Sequence, residues 1–360
     1  MSSPFSPLTL GSVTARNRIW IAPMCQYAVE RQDGVPTAWH AVHLGQLAIG
    51  GAGIVLAEAT AVSPEGRISP QDTGIWNDQQ AAAWAPITAF ITSQGALPGI
   101  QLAHAGRKAS VYRPWGTDQT GSVPESEGGW ATIAPSAIAF EGFNTPREMT
   151  TADIAGVVRD FGAAARRAVD AGFKVIEIHA AHGYLLHSFL SPLSNTRTDS
   201  FGGSPENRAK LLELVIREVR TRVGDLPIFV RLSATDWAEG GLTEELITDI
   251  GRRAEAAGAD LLDVSTGGLV AHQHIPVAPG YQVPFAASLR AATGIPVAAV
   301  GLFTTPEQVA ETLTEAQADA ILIGREALRD PHFPLRAAHV LGAEIDYVPG
   351  PYGRAPYRSH

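Results

Sequence analysis

A strand that ends in two imidazoles and a phenol is equipped to hold a carbonyl oxygen and deliver a proton. Residues 175–184, Val-Ile-Glu-Ile-His-Ala-Ala-His-Gly-Tyr, read that way. The β-branched Val175, Ile176 and Ile178 alternate with Glu177 and His179 as a strand does. Ala180 to Gly183 then break the alternation and start a turn. On a single helix Tyr184 would sit roughly 140° from His179, and on a single strand His179 and His182 would face opposite ways. Only a strand-to-helix turn aims all three at one point. Converged there, they form a polarising and proton-donating set. Two other readings stay open on these residues alone. His179 and His182 could ligate a metal, although a helical zinc pair is usually four apart with a carboxylate beside the first histidine. Both could also be satisfied core histidines.

A large α/β fold must position them. The chain has 360 residues, 45% hydrophobic and 18% charged, enough for a large core. Barrels of this length are commonly one domain. Its 36 Gly and 25 Pro fit many tight connections without reaching low complexity. A net charge of −9 with no Lys/Arg stripe argues against a nucleic-acid footprint. The start, Met-Ser-Ser-Pro-Phe-Ser-Pro, predicts no secretory signal. No apolar run approaches the roughly 18 residues of a membrane span. The single cysteine, Cys25, suits a reducing cytoplasm and predicts no cysteine-ligated iron–sulfur cluster.

Short apolar segments predict strands near Arg18–Ala22, Gly53–Glu58, Gly99–Leu102, Lys174–His179, Pro227–Leu232, Asp260–Val264, Pro296–Val300 and Ala320–Ile323. Helical patterns lie between them at Asp78–Ser93, Thr151–Ala171, Pro205–Val223, Glu244–Ala257, Pro284–Ala292 and Pro306–Thr314. Thr150 or Thr151, Ser204, Thr243 and Thr305 are candidate caps. Eightfold strand–helix alternation, with runs buried on both faces, predicts a TIM (β/α)8 barrel over residues 1–345. A doubly wound sheet is the runner-up, but no dinucleotide fingerprint follows the first strand. Residues 104–149 are rich in Gly and Pro and read as a lid or substrate-shaping insertion after strand three. The tail 346–360 carries Pro349, Pro351 and Pro356, so no helix is expected there.

Catalytic groups of such barrels lie at the C-terminal ends of the strands. Strand one ends in Ala22-Pro23-Met24-Cys25-Gln26-Tyr27, strand two in Glu58-Ala59-Thr60 and strand three in Gln101-Leu102-Ala103-His104. Strand five delivers Arg231 from an apolar run. Its guanidinium requires an anionic or acceptor partner, either a ligand or a barrel carboxylate such as Glu177 or Glu58. Gly301 after strand seven, and Gly324 with Arg325 after strand eight, form the usual phosphate cradle of these barrels. The set suits a flat, phosphate-bearing cofactor with a carbonyl-like substrate stacked on it.

These motifs resemble the Old Yellow Enzyme family of FMN-dependent ene-reductases along essentially the whole chain. The resemblance rests on Asn17-Arg18 through 23–27, Gln-Leu-Ala-His-Ala-Gly-Arg-Lys at 101–108, and His-Ala-Ala-His-Gly-Tyr at 179–184. It extends to Ser-Asn-Thr-Arg-Thr-Asp-Ser-Phe-Gly-Gly-Ser at 194–204 and Ile-Gly-Arg at 323–325. Cys25 and His182 are similar to the shorter bacterial branch of NADPH dehydrogenases and xenobiotic reductases. The resemblance implies that Ala22, Pro23, Met24, Cys25, Ala59, Gln101, Arg231, Gly324 and Arg325 bind FMN, with Cys25 tuning its potential non-covalently. It implies that His179 and His182 hold the substrate carbonyl oxygen, Tyr184 supplies a proton and Tyr27 lines the substrate face. It also implies NADPH or NADH as reductant, an enone substrate, and a homodimer or homotetramer. In part of this branch an arginine near the C-terminus enters the neighbouring subunit's site; Pro351-Tyr352-Gly353-Arg354 is a loose match to it. Lys108 matches a family motif and reads equally as a solvated loop residue. Two rivals remain: a metal-assisted hydrolase or lyase using His179 and His182, and a low-turnover flavin redox sensor with Cys25 as reporter.

Overall fold

The computed structural model describes residues 3–357. Eight parallel strands close into a barrel: β1 (Ile19–Ile21), β2 (Ile54–Ala61), β3 (Leu97–Ala103), β4 (Val175–Ala180), β5 (Ile228–Ser233), β6 (Leu261–Ser265), β7 (Val297–Val300) and β8 (Ala320–Ile323). They are hydrogen-bonded in sequence order, with β8 returning to β1. A short antiparallel hairpin, Leu8–Leu10 with Val13–Ala15, precedes them.

The two-residue period of the strands sorts the side chains. Outward residues such as Ile21, Val55, Ile176 and Val230 pack under the helices in one continuous core. Inward residues such as Trp20, Ile54, Leu56, Val175, Phe229 and Leu261 fill the barrel's interior. Trp20 stacks on Phe229 with centroids 5.6 Å apart. Further along the same strands the inward positions turn polar: Gln101, Glu177, Arg231 and Asp263, all buried. Polar groups enter only near the C-terminal ends, where a ligand can meet them.

The helices are α1 (Ala38–Ile49), α2 (Asp78–Ser93), α3 (Thr151–Asp170), α4 (Leu185–Leu190), α5 (Pro205–Val223), α6 (Glu244–Ala257), α7 (Val283–Ala292), α8 (Pro306–Thr314), α9 (Arg325–Arg329) and α10 (Phe333–Val340). The expected caps hold: Thr150, Ser204, Thr243 and Thr305 each accept a backbone N–H three residues on. Helix α1 was not predicted, because its pattern is inverted. Trp39 and Val42 are exposed while His40 and His43 are buried. Strand β2 runs three residues past its predicted end through a bulge between Ala57 and Ala59, which shifts the alternation beside the site.

The tail is neither free nor wholly without helix. Gly350–Arg354 forms a short 3-10 turn. The Tyr352 ring lies 5.6 Å from His332 and the Tyr357 ring 5.5 Å from His339, against α10. The tail's last residues, 358–360, lie outside the described residues.

Candidate active site

Strand β4 ends at Ala180, and the turn to α4 places His182 at φ +59° and Gly183 at φ +76°. Left-handed backbone at a non-glycine residue costs about 1–3 kcal/mol, and the surroundings hold it there. His182 N–H donates to Ser233 Oγ at 3.0 Å, and Gly183 N–H to His187 Nδ1 at 2.8 Å. With Nδ1 accepting, the His187 proton sits on Nε2 and faces Asp236 Oδ1 at 2.9 Å. Asp236 also accepts from Ser191 Oγ and the Leu242 N–H. Burial alone would raise that carboxyl's pKa, but His187 and these donors hold it below the usual range. The Lys108 ammonium donates to His182 O at 2.9 Å and to Gly268 O at 2.8 Å. It also lies over the rings of Phe140 and Tyr184. Lys108 is therefore a strap across the turn and not a solvated loop residue. Burial, with Arg107 nearby, lowers its pKa to about 8.

Thus fixed, the three predicted side chains converge. His179 stands perpendicular to His182, centroids 5.2 Å apart, and to Tyr184, centroids 4.9 Å apart. The Ala181 N–H points at His179 Nδ1 at 3.3 Å, which leaves the ring proton on Nε2 as a donor. His182 Nε2 is 2.8 Å from Ser265 Oγ. The Ser265 hydroxyl also reaches Gln282 Oε1 at 3.3 Å: donating there, it leaves the His182 proton on Nε2, and donating to the ring it leaves the proton on Nδ1. Burial, then the charge of Arg231, pushes both imidazole pKa values well below normal, so both are neutral at pH 7. Burial raises the Tyr184 phenol, which keeps its proton. Burial likewise keeps Cys25 a thiol, packed with Tyr27 against one apolar cluster.

The other predicted residues fall in two groups. Cys25, Tyr27 and Tyr184 pack against a cluster that includes Ala59, Ala103, Ala109 and Val111. Across the barrel mouth, Arg231, Gly301, Gly324 and Arg325 line a cavity of about 160 Å³. Gln101 bridges the groups through Glu177, donating Nε2–H to Oε1 at 2.8 Å. Arg231 pairs with Asp263, Nε to Oδ2 3.2 Å, a carboxylate not anticipated from the sequence; Glu58 instead faces His40. Ala22 closes the barrel's inward layer, and Met24 Sδ is the nearest atom to a Cβ added at Gly324, at 3.9 Å. Pro23 follows Ala22 directly and is half-buried. The segment 104–149 bonds over this mouth, with Arg107 Nη2 donating to Leu269 O at 2.7 Å and Arg113 Nη1 to Tyr27 O at 3.3 Å. Ser233, Ser265, His187, Asp236 and Asp263 were missed. The one available signal was a polar residue interrupting an apolar strand, as Asp263 does in Leu-Leu-Asp-Val-Ser.

Residues 3–344 match the model of the NADH:flavin oxidoreductase / NADH oxidase family. The chain belongs to this family. It is 48% identical over 356 residues to an NADPH dehydrogenase from Listeria monocytogenes, covering 99% of each chain. Morphinone reductase in complex with tetrahydroNAD superposes with a TM-score of 0.79 at 28% identity, over 96% of this chain and 92% of that one. The old yellow enzyme homologue from Zymomonas mobilis gives 0.79 at 29% identity, over 96% and 94%. The protein is a flavin oxidoreductase with FMN as cofactor and a reduced nicotinamide as reductant.

The residues present fit FMN. Among the described residues the buried Arg231 Nε has no aligned acceptor, only the Asp263 carboxylate at 3.2 Å. Apart from its chain neighbours, no other described residue approaches a Cβ at Gly324 within 4 Å, so bare backbone there lets a ligand come close. Among the described residues no group of three His, Cys, Asp or Glu is arranged to hold a metal, and no helix is long and apolar enough to cross a membrane.

Proposed function

We propose that this protein reduces the C=C bond of α,β-unsaturated carbonyl compounds, with NADPH as electron source. The observation that carries the reading is the convergence of His179 with His182 and Tyr184, each ring standing across that of His179, on a pinned turn at the barrel mouth. When bound, FMN would supply the hydride chemistry between nicotinamide and the substrate β-carbon. The cofactor-holding residues are Ala22, Pro23, Met24, Cys25, Ala59, Gln101, Arg231, Gly301, Gly324 and Arg325.

The protein's part is orientation, electrostatics and one proton. His179 donates Nε2–H to the substrate oxygen, and His182 donates Nδ1–H when the Ser265 hydroxyl gives its proton to Nε2 and not to Gln282 Oε1. Two neutral donors aimed at an oxygen that gains charge stabilise the transition state more than the ground state. Tyr184 O–H gives its proton to the α-carbon. Tyr27, beside Cys25, lines the substrate face, and segment 104–149 acts as the lid that shapes it.

Single-turnover kinetics test this. FMN-loaded protein reduced with NADPH under anaerobic conditions should be reoxidised rapidly by a cyclic enone. Replacing His179 or His182 by Ala should weaken phenol binding by about 1–3 kcal/mol each, with flavin content near normal. No enone-dependent reoxidation, or flavin loss with intact phenol affinity, refutes the assignment.

A further inference from the structure

Four polar residues stand side by side on the inward face of adjacent strands: Gln101 on β3, Glu177 on β4, Arg231 on β5 and Asp263 on β6. Gln101 is the register partner of Glu177, and Arg231 of Asp263. All are buried. Gln101 Nε2 donates to Glu177 Oε1, and Arg231 Nε faces Asp263 Oδ2. Glu177 Oε2 and both Asp263 oxygens have no donor from the described residues. Two buried carboxyls thus share a layer with a single guanidinium.

We infer that Glu177 holds a proton while Asp263 keeps its charge, so that this layer carries one carboxylate for one guanidinium. The assignment satisfies the observed bonds together. A neutral Glu177 accepts from Gln101 on its carbonyl oxygen and carries its proton on Oε2, the oxygen that no donor reaches among the described residues. Asp263, beside Arg231, keeps the negative charge. Two bare carboxylates and one cation would leave a net charge in a dry barrel, which is costly. His179, two residues beyond Glu177 and the register partner of Arg231, is itself neutral. Burial, then the charge of Asp263, raises the Glu177 pKa well above the carboxylate range. Glu177 is then a positioning residue: it orients the Gln101 amide and sets how much of the Arg231 charge is left for the flavin.

Two measurements on the FMN-loaded protein test the inference, which for its second part rests on the flavin placement proposed above. The infrared difference spectrum, native minus Glu177→Gln, should show the deuterium-sensitive C=O stretch of a protonated carboxyl. No such band overturns the inference. The flavin midpoint potential should stay at the native value in Glu177→Gln, whose amide copies the neutral acid. It should move to a more positive value when Asp263→Asn is added to that variant, where Arg231 is left uncompensated against the negative charge that reduction adds. A shift of the same size in Glu177→Gln alone overturns the inference. If the double variant does not fold, the Glu177→Gln band and potential still decide. A correct band with no potential change in either variant upholds the protonated Glu177 and refutes the flavin placement.

Discussion

The donor role proposed for His179 and His182 is that of neutral imidazoles. Burial and Arg231 drive their pKa values well below normal, so neither should charge across the range where a free imidazole, near 6.5, would. The affinity for a neutral carbonyl ligand should therefore stay flat from about pH 5.5 to 7.5. An imidazolium would be the stronger donor, so affinity climbing as pH falls through about 6.5, in a titration followed by flavin absorbance, would refute neutrality. Tyr184 supports a separate prediction, since its phenol is held protonated. Tyr184→Phe keeps the ring and removes one O–H. Flavin reduction by NADPH should barely change, while enone reduction falls by about 10²–10⁴-fold, varying with the enone because water replaces the donor for some. Stopped-flow traces of each half-reaction decide; equal losses in both would mean that Tyr184 supports nicotinamide binding or the fold.

One element, the β4–α4 turn, carries these residues and is held from three sides. Lys108 straps it from the 104–149 segment, Ser233 holds it from β5, and His187 on α4 holds it with Asp236 behind. The last contact is a fully buried pair, so removing one partner leaves the other unsatisfied. Asp236→Ala should cost about 3–5 kcal/mol of stability, read from urea unfolding. Because the folded-state pKa of Asp236 lies below its unfolded value, the pair stabilises above the ordinary carboxylate range. That contribution is lost as pH falls through the folded value. The native-minus-variant stability gap should therefore shrink on acidification. A gap independent of pH would show that Asp236 acts only by filling space.

Across the whole molecule, the proposed cofactor site draws on strands from both halves of the barrel: Cys25 and Ala59 on one side, Arg231, Gly301 and Arg325 on the other. A ligand joining them binds only the closed barrel, so FMN should stabilise the fold by mass action, about 2.7 kcal/mol at a free concentration 100-fold above its dissociation constant. Thermal melts at increasing FMN should climb accordingly. Denaturation should release FMN into the supernatant; flavin that stays with the precipitate, or a melting point indifferent to FMN, would refute non-covalent binding at this site.

Local pattern determined the strands, the capped helices and the strand-to-helix turn at 180–184. Two-residue alternation and cap chemistry depend on near neighbours alone, which is why β8, α5 and α6 lie where they were expected. The family followed from long motifs at consistent positions. Helix α1 escaped because its buried face carries His40 and His43 while Trp39 and Val42 lie outside; only packing against the barrel explains that inversion. The partners of the site escaped for the same kind of reason. Arg231 needed an anion by its chemistry, but that the anion is Asp263 depends on which strands neighbour β5 and in what register. The His187–Asp236 pair, the Ser265 contact to His182 and the Lys108 strap join residues 49 to 83 positions apart or across the barrel mouth. Such contacts exist only once the barrel has closed, and no local pattern encodes them.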